Sequence, residues 1–277
     1  MSRKTDDFNV NKNYTRINRM QPTITIIGSG FVGSHFIDQY HSYFSNIVTT
    51  SKQSKKNPFS NHHIHFDIYE TIPPLPATDL LIIAIPFSRT LTEPTKYLEG
   101  IKNICDSIEK YKKVIFLSST SVYPLLSKEI DEKSITANNN RSNVLTQCEK
   151  LIQNLPATTF VLRLGGICGY ERNSMNKITS LKINNGNLPV NLIHVDDIIQ
   201  FIMQLIQKNY SSDTINICCT DHPEKKDYYS YLCQLFNYPP PQFTVSNEPY
   251  KIVSNKKLIT KYNYKMKYKS PLEFTFQ

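Results

Sequence analysis

The chain has no tryptophan, only 8 glycines among 277 residues and only six cysteines, and each scarcity excludes something. Cys105, Cys148, Cys168, Cys218, Cys219 and Cys233 form no Cys-x-x-Cys spacing and have no paired histidines at zinc-finger intervals. A thiolate zinc module and a disulfide framework are both excluded, and reduced thiols in a cytoplasmic protein are expected. Residues 1–20 lack the apolar core of a secretory signal, and no stretch approaches 18 apolar residues. No membrane partner is therefore expected. Hydrophobic residues make up 39% and charged residues 20%, an ordinary globular balance.

The net charge of +9 is gathered at the ends of the chain. Residues 250–277 carry seven lysines (251, 256, 257, 261, 265, 267 and 269) against Glu273. The first twenty carry Arg3, Lys4, Lys12, Arg16 and Arg19 against Asp6 and Asp7. A basic segment interleaved with Tyr262, Tyr264 and Tyr268 has the make-up of a phosphate grip. A solvated face in a Lys- and Asn-rich chain accounts for it as well, and no nucleic acid is expected. The same charge would draw an anionic substrate or cofactor in either case.

The most informative segment is Thr23-Ile-Thr-Ile-Ile-Gly-Ser-Gly-Phe-Val-Gly33. A β-branched run leads into Gly28-x-Gly30-x-x-Gly33, and a helical pattern follows. Gly28 permits a tight turn, Gly30 lets the backbone approach a pyrophosphate, and Gly33 allows helix to pack closely on strand. The helix start at Phe31 and Val32 then offers free N–H groups to phosphates. Strand before and helix after are the context a dinucleotide site requires.

Apolar runs and amphipathic segments alternate along the chain. Strands are predicted at Thr23–Ile27, Ile47–Thr50, Ile64–Asp67, Asp79–Ile85, Lys113–Ser119 and Thr159–Leu164, with helices at Phe31–Tyr43, Thr92–Tyr111 and Arg141–Leu155. The middle helix carries Leu98, Ile101, Ile104, Cys105 and Ile108 on one stripe. Such alternation predicts an α/β, Rossmann-type doubly wound parallel sheet with helices on both faces. After Gly169 the pattern becomes irregular, with helices at Asp196–Lys208 and Lys225–Phe236. The expected organisation is a flexible polar tail over 1–21, an NAD(P)-binding Rossmann domain over 22–168, and a smaller C-terminal substrate lobe over 169–277, interleaved as one unit.

Several motifs carry a resemblance. Phe116-Leu-Ser-Ser-Thr-Ser-Val-Tyr-Pro124 resembles the strand-five motif of the extended and atypical short-chain dehydrogenase/reductases, the NAD-dependent epimerase/dehydratase group. Leu162-Arg163-Leu-Gly-Gly-Ile-Cys-Gly169, Val190-Asn-Leu-Ile-His-Val-Asp-Asp197 and Asn216-Ile-Cys follow in that family's order. The resemblance spans roughly residues 22–265. It implies that Asp67 meets the adenine amine, that Ala84, Ile85 and Pro86 pass beneath the ribose, and that Ser118 and Ser119 lie at the cofactor and the catalytic centre. The end of strand two, Val48-Thr-Thr-Ser-Lys-Gln-Ser-Lys-Lys56, holds no acid. Thr50, Ser51 and Lys52 can donate to a 2′-phosphate there, so NADP(H) is favoured over NAD(H).

The family's Tyr-x-x-x-Lys pair is missing. Counting back from Glu149, its positions fall on Arg141 and Leu145. A guanidinium stays charged and cannot replace a proton-transferring phenol. Two readings follow: an atypical reductase or epimerase acting on a small or sugar-like substrate, or a non-catalytic NADP(H)-binding sensor or scaffold. For the first, Tyr123, Cys168, Tyr170 and His194 are the candidate acid/base or substrate groups, with Arg172 as an anion clamp. Helix faces could pair into a homodimer, as in many relatives. His62, His63 and His65 read as a polar lead into a strand rather than a metal site, and Cys218-Cys219 as packing residues.

Overall fold

The structure, a computed structural model, describes residues 21–53, 56–87, 93–107, 111–175 and 182–276. The predicted polar tail up to residue 20, Ile108 of the helical stripe and Lys55 of the basic loop lie outside the described residues. Thirteen strands run in the order β1 (Thr23–Ile27), β2 (Asn46–Ser51), β3 (His62–His65), β4 (Leu80–Ile83), β5 (Lys113–Ser119), β6 (Lys128–Ile130), β7 (Thr158–Leu164), β8 (Gly166–Cys168), β9 (Lys182–Ile183), β10 (Leu192–His194), β11 (Asp213–Ile217), β12 (Gln242–Phe243) and β13 (Lys251–Val253). The helices are α1 (Phe31–Tyr40), α2 (Pro94–Asp106), α3 (Asn140–Gln153), α4 (Val195–Gln207), α5 (Lys225–Leu235) and α6 (Lys256–Thr260).

Seven strands form one parallel sheet in the order β11-β7-β5-β4-β1-β2-β3. The central strands are buried on both faces, which is why they read as unbroken apolar runs. Ile24, Ile26, Leu80, Ile82 and Ile115 pack to one side, with α1 and α4. Ile27, Leu81, Ile83, Val114 and Phe116 pack to the other, with α2 and α3. The chain steps outward from β1 to β2 and β3, then returns to place β4 on the other flank of β1. The strand order therefore reverses between β1 and β4, and their carboxyl ends open the crevice where ligands bind in such sheets.

The sequence after Gly169 is woven into this body. It supplies α4 to one face and β11 to the sheet edge, while β13 pairs with β6. Strand β3 starts at His62, two residues before the predicted start. It is an edge strand, where polar side chains find partners: His63 Nδ1 lies 2.9 Å from Thr49 Oγ1. Tyr262, Tyr264 and Tyr268, the aromatics of the basic segment, are buried. Tyr262 donates to Asp213 and Tyr264 to Asp197, so these rings hold the fold and are not available to stack on bases. Among the described residues, no helix is long and apolar enough to cross a membrane.

Candidate functional site

The glycine turn is built by its neighbours. Gly28 has φ +90, and a Cβ there would stand 3.0 Å from the Ala84 carbonyl carbon, so the end of β4 presses directly on the turn. A Cβ on Gly33 would lie 2.9 Å from the Gly28 oxygen, so α1 is drawn hard against the strand. The N–H groups of Gly28 and Ser29 and the Ser29 hydroxyl all reach the Thr50 carbonyl, at 3.2, 2.8 and 3.1 Å. Ser34 Oγ donates to the Ser29 carbonyl at 2.9 Å. Gly30 differs from every other glycine in the chain: a Cβ on it would meet nothing within 4 Å. The protein itself makes no use of the missing side chain there. Beyond Gly30, α1 begins with no side-chain cap and no acid in its first turn, leaving its positive end unneutralised.

At the outer end of the crevice, Lys52 Nζ sits 2.7 Å from Asp67 Oδ2 and 4.8 Å from the Tyr69 ring centroid. Against a burial that would raise it, the Lys52 ammonium and the Tyr69 N–H hold the Asp67 carboxyl below its usual range. The two residues assigned from sequence to adenine and 2′-phosphate thus form one ion pair, with Lys52 more than half exposed. Ala84 and Ile85 line the end of β4 and Pro86 is exposed beyond them; the Tyr97 hydroxyl pins the Ile85 carbonyl at 2.9 Å.

The end of β5 divides its residues between two jobs. Ser119 Oγ accepts from the Ser121 N–H at 3.1 Å and stays half-buried at the sheet edge. Ser118 turns its side chain inward: its hydroxyl donates to Glu149 Oε1 at 2.6 Å. Glu149 also takes the Arg163 guanidinium, with Nη2 2.7 Å from Oε2. Arg163 Nη1 donates in turn to the Tyr123 hydroxyl at 2.8 Å, and Tyr123 donates to Asn216 Oδ1 at 2.8 Å. Tyr123 is buried and both of its polar contacts are used, and burial, opposed by Arg163, pushes its phenol above the ordinary range. Tyr123, a proton-donor candidate by sequence, is thus a link in a buried network. The Glu149–Arg163 pair captures both Ser118 and Tyr123, a link for which the sequence carries no local signal.

Arg141, at the position of the family tyrosine, spans from the β4 loop to the β5 loop. Its Nη2 donates to the Phe87 carbonyl at 2.8 Å, its Nε to Ser121 Oγ at 3.3 Å, and its guanidinium carbon lies 4.5 Å from the Phe87 ring centroid. Leu145, at the lysine position, is buried among Val122, Tyr123, Ile130, Cys218 and Val253. One residue with no sequence signal also reaches this region. Lys251 Nζ donates to the Thr120 and Tyr123 carbonyls, both at 2.8 Å, and burial brings its pKa down to about 8.

The remaining substrate candidates separate. Cys168 is buried, with its sulfur 3.5 Å from the Tyr228 hydroxyl. His194 is buried too. Its Nδ1 accepts from the Asp196 N–H at 3.2 Å, capping α4, while Nε2 lies 3.1 Å from the Thr275 carbonyl. Burial lowers its pKa, and its Nδ1 serves as the cap of α4. Tyr170 stacks on His35 with ring centroids 4.6 Å apart and donates to Asp196. Arg172 alone of this group is exposed, beside Phe31 at the start of α1. Among the described residues, no group of three or more His, Cys, Asp or Glu could hold a metal.

No family model matches the chain. It is 30% identical to protein YeeZ of Escherichia coli K12 over 202 residues, covering 70% of this chain and 73% of that protein. Among solved structures, UDP-glucuronic acid 4-epimerase from Bacillus cereus in complex with NAD has a TM-score of 0.73 at 18% identity, over 91% of this chain and 95% of that one. Human epimerase family protein SDR39U1 with NADPH has a TM-score of 0.73 at 14% identity, over 90% and 96%. The chain belongs to the family of protein YeeZ and has the fold of the epimerase/dehydratase-type short-chain dehydrogenase/reductases, without their Tyr-x-x-x-Lys pair.

Proposed function

We propose that the chain binds a nicotinamide adenine dinucleotide, NADP(H) in preference to NAD(H), and acts as an atypical reductase or epimerase on a small or sugar-like substrate. Gly30 carries the reading. Of eight glycines it alone has open space where a side chain would be, and it lies at the uncapped start of α1. A backbone stripped of its side chain for no internal reason fits a diphosphate that must come close. Lys52, with no acid at the end of β2, would face the 2′-phosphate, and Asp67 the adenine. When bound, the cofactor would supply hydride chemistry at the sheet edge near Ser119. Complexes of similar folds with NAD, NADPH and UDP-sugars support the ligand class.

A second reading is a dinucleotide-binding sensor or scaffold without turnover. Arg141 bridging Phe87 and Ser121, and Leu145 in an apolar cluster, favour it, because no phenol or ammonium stands where the family's proton transfer occurs. Titration with NADPH and NADH, followed by nicotinamide fluorescence, tests the shared step, helped by the absence of Trp. Tight NADPH and weak NADH binding is expected, and Gly30→Asp should abolish both; binding of neither cofactor by the wild-type protein refutes the reading. Incubation with UDP-glucose or UDP-glucuronic acid and the bound cofactor then separates the two readings, through appearance of an epimerised or oxidised sugar.

A further inference from the structure

The turn over residues 169–172 clasps the start of α1 and carries a cation to it. Gly169 and Arg172 exchange two backbone hydrogen bonds, at 3.1 and 2.9 Å. Gly169 has φ +130 and is so close to α4 that a Cβ would lie 2.7 Å from His194 Nε2. Tyr170, itself left-handed at φ 48, locks the turn to α1 by stacking on His35 and to α4 through Asp196. The product of this anchoring is the position of Arg172. Its guanidinium carbon sits 5.4 Å from the ring centroid of Phe31, the residue that follows Gly30 and opens α1.

This is an unusual place for a positive charge. The first turn of a helix already presents a partial positive charge, and acids are the residues that favour it. Here no acid lies in the turn, no side chain caps it, and a guanidinium is parked on its first ring. Among the described residues Arg172 has neither an ion pair nor a side-chain hydrogen bond, and its neighbour Glu171 is exposed with no contact to it. The uncapped start of α1 and the Arg172 guanidinium thus place two positive centres at Phe31, the residue next to Gly30. The cation–π contact with Phe31 also biases the side chain toward this position, which lowers the entropy lost on capturing an anion.

We infer that Arg172 is a ligand of the dinucleotide's diphosphate, held over the α1 start by its contact with Phe31, instead of a clamp for the substrate. The inference rests on the dinucleotide reading. Its chemistry, a guanidinium on a phosphate oxyanion, could equally serve a substrate's anionic group, and fragments tell the two apart. ADP-ribose contains the diphosphate but no nicotinamide; 2′-AMP contains the adenine end alone.

Full-length wild-type protein and Arg172→Gln would be titrated with NADPH, ADP-ribose and 2′-AMP, with thermal unfolding as a check on folding. Loss of one charge-assisted contact is expected to weaken NADPH and ADP-ribose by about tenfold and leave 2′-AMP unchanged. Arg172→Lys should keep part of that affinity, since the charge remains while the planar stack is lost. Unchanged ADP-ribose affinity in Arg172→Gln overturns the inference while the dinucleotide site stands. A wild-type protein that binds neither NADPH nor ADP-ribose overturns both. A variant that weakens all three probes equally also overturns it, because the residue would then act through the fold.

Discussion

Three glycines of one turn should give two different phenotypes when each is replaced by alanine. At Gly30 the new methyl would meet no atom within 4 Å, so no packing contact of the unliganded fold opposes it. The lost flexibility of the unfolded chain favours alanine by about 0.4–1 kcal/mol, and its poorer helix capping takes back about 0.5–1 kcal/mol. Stability should therefore change by less than about 1 kcal/mol. Binding is another matter, because the methyl occupies the approach of the diphosphate. Losing one or two charge-assisted contacts amounts to about 3 kcal/mol, or roughly 100-fold in affinity. At Gly28 the order inverts. A left-handed residue with a side chain costs about 1–3 kcal/mol, and its Cβ at 3.0 Å from Ala84 adds overpacking of similar size. At ~2–4 °C per kcal/mol, Gly28→Ala should lower Tm by about 10 °C. Gly33→Ala should resemble it, through the 2.9 Å approach to the Gly28 oxygen. Circular dichroism melts and NADPH titration measure the two properties separately. If Gly30→Ala melts like Gly28→Ala, or keeps wild-type NADPH affinity, the argument from open space is wrong.

Two further predictions concern stability. Glu149→Ala leaves the buried Arg163 guanidinium without its counter-charge and should cost about 3–5 kcal/mol, while the double variant Glu149→Leu with Arg163→Met should cost less than the two single losses together. Additive losses in urea melts would show that the pair is not coupled. Asp79 accepts from the Thr23 N–H and pairs with Lys112, and these contacts bring its pKa down to about 2. A depressed carboxylate contributes stability above its unfolded value near 3.8 and loses it as pH falls toward 2. Partial exposure limits the term to about 1–2 kcal/mol. Asp79→Asn should accordingly lose less stability than wild type between pH 4 and 2, and equal slopes in that window would refute the assignment.

What could be read from the sequence was what is encoded locally. Strand β1, the glycine turn and α1 are contiguous, and their spacing alone specifies them; β5 matches its predicted bounds because a doubly buried strand leaves an uninterrupted apolar run. Features that depend on distant partners were hidden. Ser118 and Tyr123 read as site residues because nothing near them in sequence announces the Glu149–Arg163 pair that draws both inward. Tyr262, Tyr264 and Tyr268 are separated by lysines and asparagine, so no run of apolar residues betrays that all three are buried. Arg172 was marked as an anion ligand, but its placement depends on the left-handed Tyr170, a backbone choice that no residue type there demands.

Asp197, at the start of α4, accepts the Tyr264 hydroxyl at 3.0 Å and the N–H groups of Lys267 and Tyr268 at 2.7 and 3.1 Å. These donors lie 67 to 71 residues downstream of the carboxylate they serve. Strands β1 to β5 pair among themselves, but the buried Asp197 carboxylate of α4 finds these donors only when residues 264–268 are in place. The lysine-rich segment is thus a latch on the α1 side of the sheet, tying the start of α4 to residues from a distant part of the sequence.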